Sequence, residues 1–221
     1  MPQQDFVFVF DSDTVVPSRT FKLLGDKIRG GETGNRVFYV PFPDIHTRVT
    51  YESLLELRTS SVLAEMDKDG VSPKPIGIGF GLGAVFLLKA ASMRDFGKLV
   101  LVCPSGFYSQ PVWEFLMHRL VEEVVVQRTW KASLRYIWPF WQRIAEAQIS
   151  IADFSALGEQ LLLNGVEIHG VYGEHDHMFA AEQLQKSFRW LGIPAAKMPH
   201  AGHYLSGPLW LAEHLKAMGI Y

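Results

Sequence analysis

The chain has 221 residues, 48% of them hydrophobic and 13% aromatic, which is enough for one substantial core and reads as a single domain over 1–221. Lys and Arg number 21 against 23 Asp and Glu, a formal charge of -2, so there is no basic field to hold nucleic acid or an anionic membrane. No apolar run nears the roughly 18 residues of a membrane span, and the lone Cys103 excludes an internal disulfide or a cysteine-rich zinc site and fits a soluble chain in a reducing, cytoplasmic compartment.

Met1-Pro2-Gln3-Gln4-Asp5 lacks the basic-then-apolar order of a leader segment. Asp5-Phe6-Val7-Phe8-Val9-Phe10 is a continuous apolar run, the mark of a strand buried on both faces of a parallel sheet. It ends in Asp11-Ser12-Asp13, and a helix is predicted from Pro17 to the Gly30-Gly31 pair. Arg36 to Val40 is the second strand, stopped by Pro41 and Pro43. Thr50 to Asp67 carries apolar residues at helical spacing. Ile76 to Ile78 is the third strand, followed by a helix from Gly83 to Met93 and a fourth strand from Lys98 to Val102. The alternation of strand and helix predicts a parallel sheet with right-handed crossovers.

From Pro104 to about Ser155 the rhythm breaks, and the segment is rich in aromatics, among them Trp113, Trp130, Trp138 and Trp141. Two readings stand: helices that pack these rings onto the core, or a helical cap over a ligand pocket, where aromatic walls suit apolar or acyl ligands. Val166 to Tyr172 resumes the sheet, Ala180 to Leu191 is a helix, Ala196 to Met198 a short last strand, and Pro208 to Met218 a final helix.

The centre of the sequence is Pro75-Ile76-Gly77-Ile78-Gly79-Phe80-Gly81-Leu82-Gly83-Ala84, where glycine at every second position signals a crowded backbone between strand and helix. Together with Gly173-Glu174-His175-Asp176 and Ala201-Gly202-His203, each just after a predicted strand, it resembles the α/β-hydrolase superfamily, whose members run nucleophile, acid, histidine along the chain. The resemblance covers nearly the whole chain from Asp5 and implies an α/β-hydrolase fold of about six mostly parallel strands, with helices on both faces and residues 104–155 as a helical cap. A typical member has two more strands at its N-terminus.

The departures from that pattern bear on function. Gly81 stands at the nucleophile position and has no side chain to attack a carbonyl. The Asp11-Ser12-Asp13 loop stands where many relatives place His-Gly, with two carboxylates that oppose an oxyanion unless turned away or protonated. The retained pair is Asp176 and His203: a carboxylate that fixes one imidazole nitrogen leaves the other as a base near neutral pH. The resemblance therefore implies a protein that binds a small apolar acyl, ester or carbonyl ligand and moves a proton with His203 and Asp176. Amides at Leu82 and near Ser12 would receive the carbonyl oxygen, and Phe80 would stand beside the ligand. The alternative is a pseudo-hydrolase that binds a ligand or a protein partner without turnover.

A third reading takes Gly79, Gly81 and Ala84 as a dinucleotide turn. That motif normally follows the first strand and needs an acid at the end of the next, where this chain has Cys103-Pro104-Ser105. Ser12, Cys103 and Ser105 fall at strand ends on the same edge, read as turn residues and a small buried hydrophobe rather than as relocated nucleophiles. His175, His177, His200, His203 and Asp176 fall in two neighbouring loops, yet alternate loop residues point apart, so they read as surface histidines and no metal is assigned. No organic cofactor is called for.

Overall fold

The structure is a computed structural model that describes residues 3–10, 17–30, 34–40, 42, 45, 47–107, 117, 140–176, 180–202 and 208–221. Among them, six strands form one sheet: β1 (Asp5–Val9), β2 (Arg36–Val40), β3 (Ile76–Phe80), β4 (Lys98–Val102), β5 (Glu167–Gly173) and β6 (Ala195–Met198). The order across the sheet is β2-β1-β3-β4-β5-β6 and every pairing is parallel. The order reverses between β1 and β3. Crevices at such reversals, outside the carboxyl ends of the strands, are where open α/β sheets take ligands.

The continuous apolar runs behave as expected of strands covered on both sides, and alternate residues feed two separate cores. Val7 and Val9 of β1 and Leu99 and Leu101 of β4 enter one core. Phe6 and Phe8, with Val100 and Val102, enter the other. The first core is covered by α2 (Tyr51–Lys68), α3 (Leu82–Ala91), α4 (Phe140–Ile151), α5 (Ser155–Leu163) and α6 (Ala181–Leu191). The second lies beneath α1 (Pro17–Arg29) and α7 (Pro208–Ala217), which pack on each other.

The helix boundaries follow local chemistry. Thr50 caps α2: its side chain accepts from the Ser53 N–H while the Ser53 side chain reaches back to the Thr50 N–H, so two orphan amides are satisfied reciprocally. Gly192 ends α6 in the left-handed conformation, φ 72°, which glycine adopts without a Cβ clash. Helix α5 adds an element between residue 155 and the fifth strand, where the sequence predicts none. Only Ser155, Gly158 and Leu161 of it are buried, so its apolar period is too narrow to announce itself.

Most of the segment expected as a cap, 108–116 and 118–139, lies outside the described residues. Its described end, α4, packs on α2 and α3. Gln142 and Glu146 are buried there and hydrogen-bond each other at 2.7 Å, and Gln142 accepts the Ile45 N–H at 2.6 Å. That end of the segment is bound into the core. Among the described residues no helix is long and apolar enough to cross a membrane.

Candidate active site

The elbow is built by the spacing of its glycines. On β3, Ile76, Ile78 and Phe80 point into the core beneath α1, so Gly77 and Gly79 point toward α3. A Cβ at Gly77 would stand 2.8 Å from Leu87 Cδ1, and one at Gly79 would stand 2.5 Å from Ala84 Cα. A Cβ at Gly83 would meet the Val9 carbonyl oxygen at 2.4 Å. Helix α3 thus sits against the sheet at a distance that only hydrogen side chains permit, which is the physical content of the alternating glycines.

Between strand and helix stands Gly81, with φ 52° and ψ -121°, a conformation costly for a residue with a Cβ. Its backbone is hung on the neighbouring strand: the Gly81 N–H donates to Val102 O at 3.0 Å, and its carbonyl accepts the Ser105 N–H at 3.1 Å. Leu82 follows as the first residue of α3, its side chain 2% exposed. Its amide is among the four at a helix start that have no intrahelical acceptor. Phe80 is buried on the α1 face, with ring centroids 3.7 Å from Phe21, 5.5 Å from Phe10 and 6.4 Å from Phe8.

Strand β5 leads into the Glu174-His175-Asp176 loop. Gly173 ends it where a Cβ would stand 2.5 Å from both Ala201 O and Gly202 O, so the chain after β6 lies directly against the end of β5. The two loops are laced together. Glu174 N–H donates to Met198 O at 2.9 Å, His175 N–H to Ala201 O at 2.8 Å, and His200 N–H to a Glu174 carboxylate oxygen at 3.1 Å. Lys197 donates to the other oxygen at 2.8 Å. The Lys197 hydrogen bond, the His200 amide and the Lys197 charge together pull the Glu174 carboxyl down to about 2.

Asp176 is buried at the end of this loop, beside the buried Cys103 thiol. Cys103 adopts φ 43°, unusual for a residue with a side chain, and its N–H donates to Val171 O at 2.7 Å. Burial, then the neighbouring Asp176, push the thiol well above its ordinary range. It stays protonated at neutral pH and is no thiolate nucleophile. Ser105 is also buried, and its Oγ has no hydrogen-bond partner among the described residues.

The sequence thus places Gly81, Leu82 and Asp176 at the carboxyl ends of β3 and β5, with β4 between them. His203, Ser12 and His177 lie outside the described residues. Two features escaped the sequence reading: the Cys103 contact with Asp176, and the gathering of Glu174 with His175 and His200, whose candidate ligand atoms all lie within 4.8 Å of one another. A separate cleft of about 440 Å³, lined by Met93, Arg94, Gln160 and Asn164 among others, opens past the C-terminal end of α3, at the opposite edge of the sheet.

No family model matches the sequence, and no curated protein matches it. Solved structures do. A 2-hydroxy-6-oxo-6-phenylhexa-2,4-dienoate hydrolase from Rhodococcus sp. strain RHA1 superposes with a TM-score of 0.69 at 15% identity, over 98% of this chain and 90% of that one. A carboxylesterase structure from Nitrososphaera gargenis gives 0.64 at 11% identity, over 99% and 89%. An α/β hydrolase fold protein from Burkholderia ambifaria gives 0.61 at 18% identity, over 98% and 90%. At such identities the likeness speaks for the architecture, and it agrees with the six-stranded parallel sheet, the strand order and the glycine elbow: the chain has the α/β-hydrolase fold.

Proposed function

We propose that this protein binds a small apolar acyl, ester or carbonyl compound at the carboxyl ends of β3 to β5 and acts on it by proton transfer, with His203 as general base oriented by Asp176. The observation that carries this reading is Gly81, which keeps a strained elbow backbone while offering no nucleophile. Amides at Leu82 and near Ser12 would receive the ligand's carbonyl oxygen, and the space left by a missing side chain would take ligand or water. An acyl-enzyme cannot form at residue 81. By analogy with serine proteases stripped of their nucleophile, turnover of an ordinary ester would fall about 10⁶-fold, leaving a residual ~10³–10⁴-fold over water from binding and polar stabilisation. The named activities of the structural neighbours, a carboxylesterase and a hydrolase of a keto-acid, support a carbonyl-bearing ligand.

A second reading, a pseudo-hydrolase that binds without turnover, is favoured by the burial of Cys103 and Ser105, each 1% exposed, which leaves neither as a ready substitute nucleophile. The dinucleotide reading finds no support, since β4 runs into Cys103-Pro104-Ser105 without an acidic residue to take a ribose. Turnover of short-chain esters, thioesters and lactones by the protein, by His203→Ala and by Gly81→Ser separates the first two. Activity lost in His203→Ala supports proton transfer without serine. Activity gained only in Gly81→Ser supports a binding protein with an intact pocket.

A further inference from the structure

We infer that Glu174, His175 and His200 form a binding site for a single divalent transition-metal ion of the zinc class, at the carboxyl-end rim of β5 and β6. In sequence the histidines stand at alternate loop positions, which tend to point apart and predict no shared ion. Tertiary pairing of the two loops overrides that argument: His175 follows β5, His200 follows β6, and backbone hydrogen bonds from Glu174 to Met198 and from His175 to Ala201 bring the turns edge to edge. One nitrogen from each imidazole and one carboxylate oxygen lie within 4.8 Å of one another. Ligand atoms around a tetrahedral zinc stand about 3.4 Å apart, as bonds of about 2.0–2.2 Å require, so closure asks for about an ångström of side-chain rotation. The His175 side chain, 59% exposed, is free to supply it.

Two details make this more than a chance meeting of surface groups. Lys197 holds Oε1 of Glu174 at 2.8 Å, leaving Oε2 as the ligand oxygen, and that oxygen already stands 3.9 Å from His175 Nε2. A fixed second partner on a ligating carboxylate is the usual way a metal ligand is oriented, although the ammonium also repels a cation and holds the affinity down. His200 in turn adopts φ 56°, the left-handed region that histidine visits more readily than most residues with a side chain, and its N–H is bonded to the same Glu174 oxygen. Its backbone is thereby fixed to the carboxylate that its imidazole faces. Two imidazoles and a carboxylate form a donor set suited to zinc, with the remaining position left to water. The ion would tie the Asp176 loop to the turn that leads into His203.

The test is calorimetric titration of the EDTA-treated full chain with ZnCl₂, with thermal melts in parallel. One equivalent should bind saturably and raise the melting temperature. Glu174→Gln, His175→Ala and His200→Gly should each weaken binding at least about tenfold, the scale on which even supporting residues of metal sites act. His200→Gly retains the left-handed turn, so a loss there reports the imidazole rather than misfolding. His169→Ala, a substitution within β5 away from the cluster, should bind as the parent does. Absence of saturable binding, binding that survives Glu174→Gln, or binding removed by His177→Ala or His203→Ala but untouched by Glu174→Gln would each overturn the assignment.

Discussion

The thiol of Cys103 lies buried beside the carboxyl group of Asp176, so the residue that follows β4 meets the side chain delivered from the end of β5. Cys103 accepts a left-handed backbone, φ 43°, to do so. Replacing it by Ala removes a buried partner of a buried carboxyl and should cost about 1–2 kcal/mol of stability in chemical denaturation. The native thiol should resist alkylation at pH 8 and react once the chain is unfolded. Because the folded thiol titrates above its unfolded value of 9.0, its contribution is complete below pH 9.0 and is lost as pH rises further. The Cys103→Ala chain should therefore lose less stability than the parent between pH 8 and pH 10.

Glu174 predicts the opposite limb. Its folded value of about 2 lies below the ordinary 4.5, so the stabilisation from Lys197 and His200 is present in full above 4.5 and disappears as pH falls through about 2. Urea midpoints measured between pH 6 and pH 2 should fall more steeply for the parent than for Lys197→Met, and the two should converge at the acid end.

Gly81→Ser tests the elbow on two scales. A side chain at φ 52° and ψ -121° should destabilise the fold by about 1–3 kcal/mol. If the pocket proposed above is intact, the same variant should gain ester hydrolysis that His203→Ala abolishes in the double mutant. Stability loss without gained activity would count against a competent base at residue 203.

Gly83→Ala should be the more damaging change, although it places the smaller side chain. Its Cβ would stand 2.4 Å from the Val9 carbonyl oxygen and 2.7 Å from the carbonyl carbon, both backbone atoms of a central strand. Relief requires moving α3 off the sheet, and a loss of at least about 3 kcal/mol is expected in thermal or urea unfolding.

Ser105→Ala should be neutral or stabilising by about 1 kcal/mol, since the buried Oγ has no hydrogen-bond partner to lose among the described residues. The assay that accompanies the melt is decisive for mechanism. Turnover abolished in a stable Ser105→Ala chain would make this hydroxyl the nucleophile and overturn the proton-transfer reading.

Much of the fold was legible because its signals are local. Phe6 to Val9 and Leu99 to Val102 are unbroken apolar runs, and such runs have few uses other than strands covered on both faces. Gly77, Gly79 and Gly83 announced close approach, and each proves to face atoms that a Cβ would strike. Helix α5 was missed because a short helix with three buried positions has no periodicity long enough to read. The order of three turns singles out Asp176 as a candidate, while nothing near Glu174 in the chain distinguishes it from any other acidic loop residue.

By itself, then, the amino-acid order determined the strands, the crossover pattern and the crowded glycine turn around Gly81, because backbone sterics and apolar periodicity act over a few residues. Tertiary structure decided what meets across the sheet edge: the thiol of Cys103 on Asp176, the amide of Ser105 on Gly81, and the imidazoles of His175 and His200 beside Glu174. Those contacts join segments far apart in the chain. They depend on strand order and on how closely β5 and the turn after β6 are laid together, which no local propensity encodes.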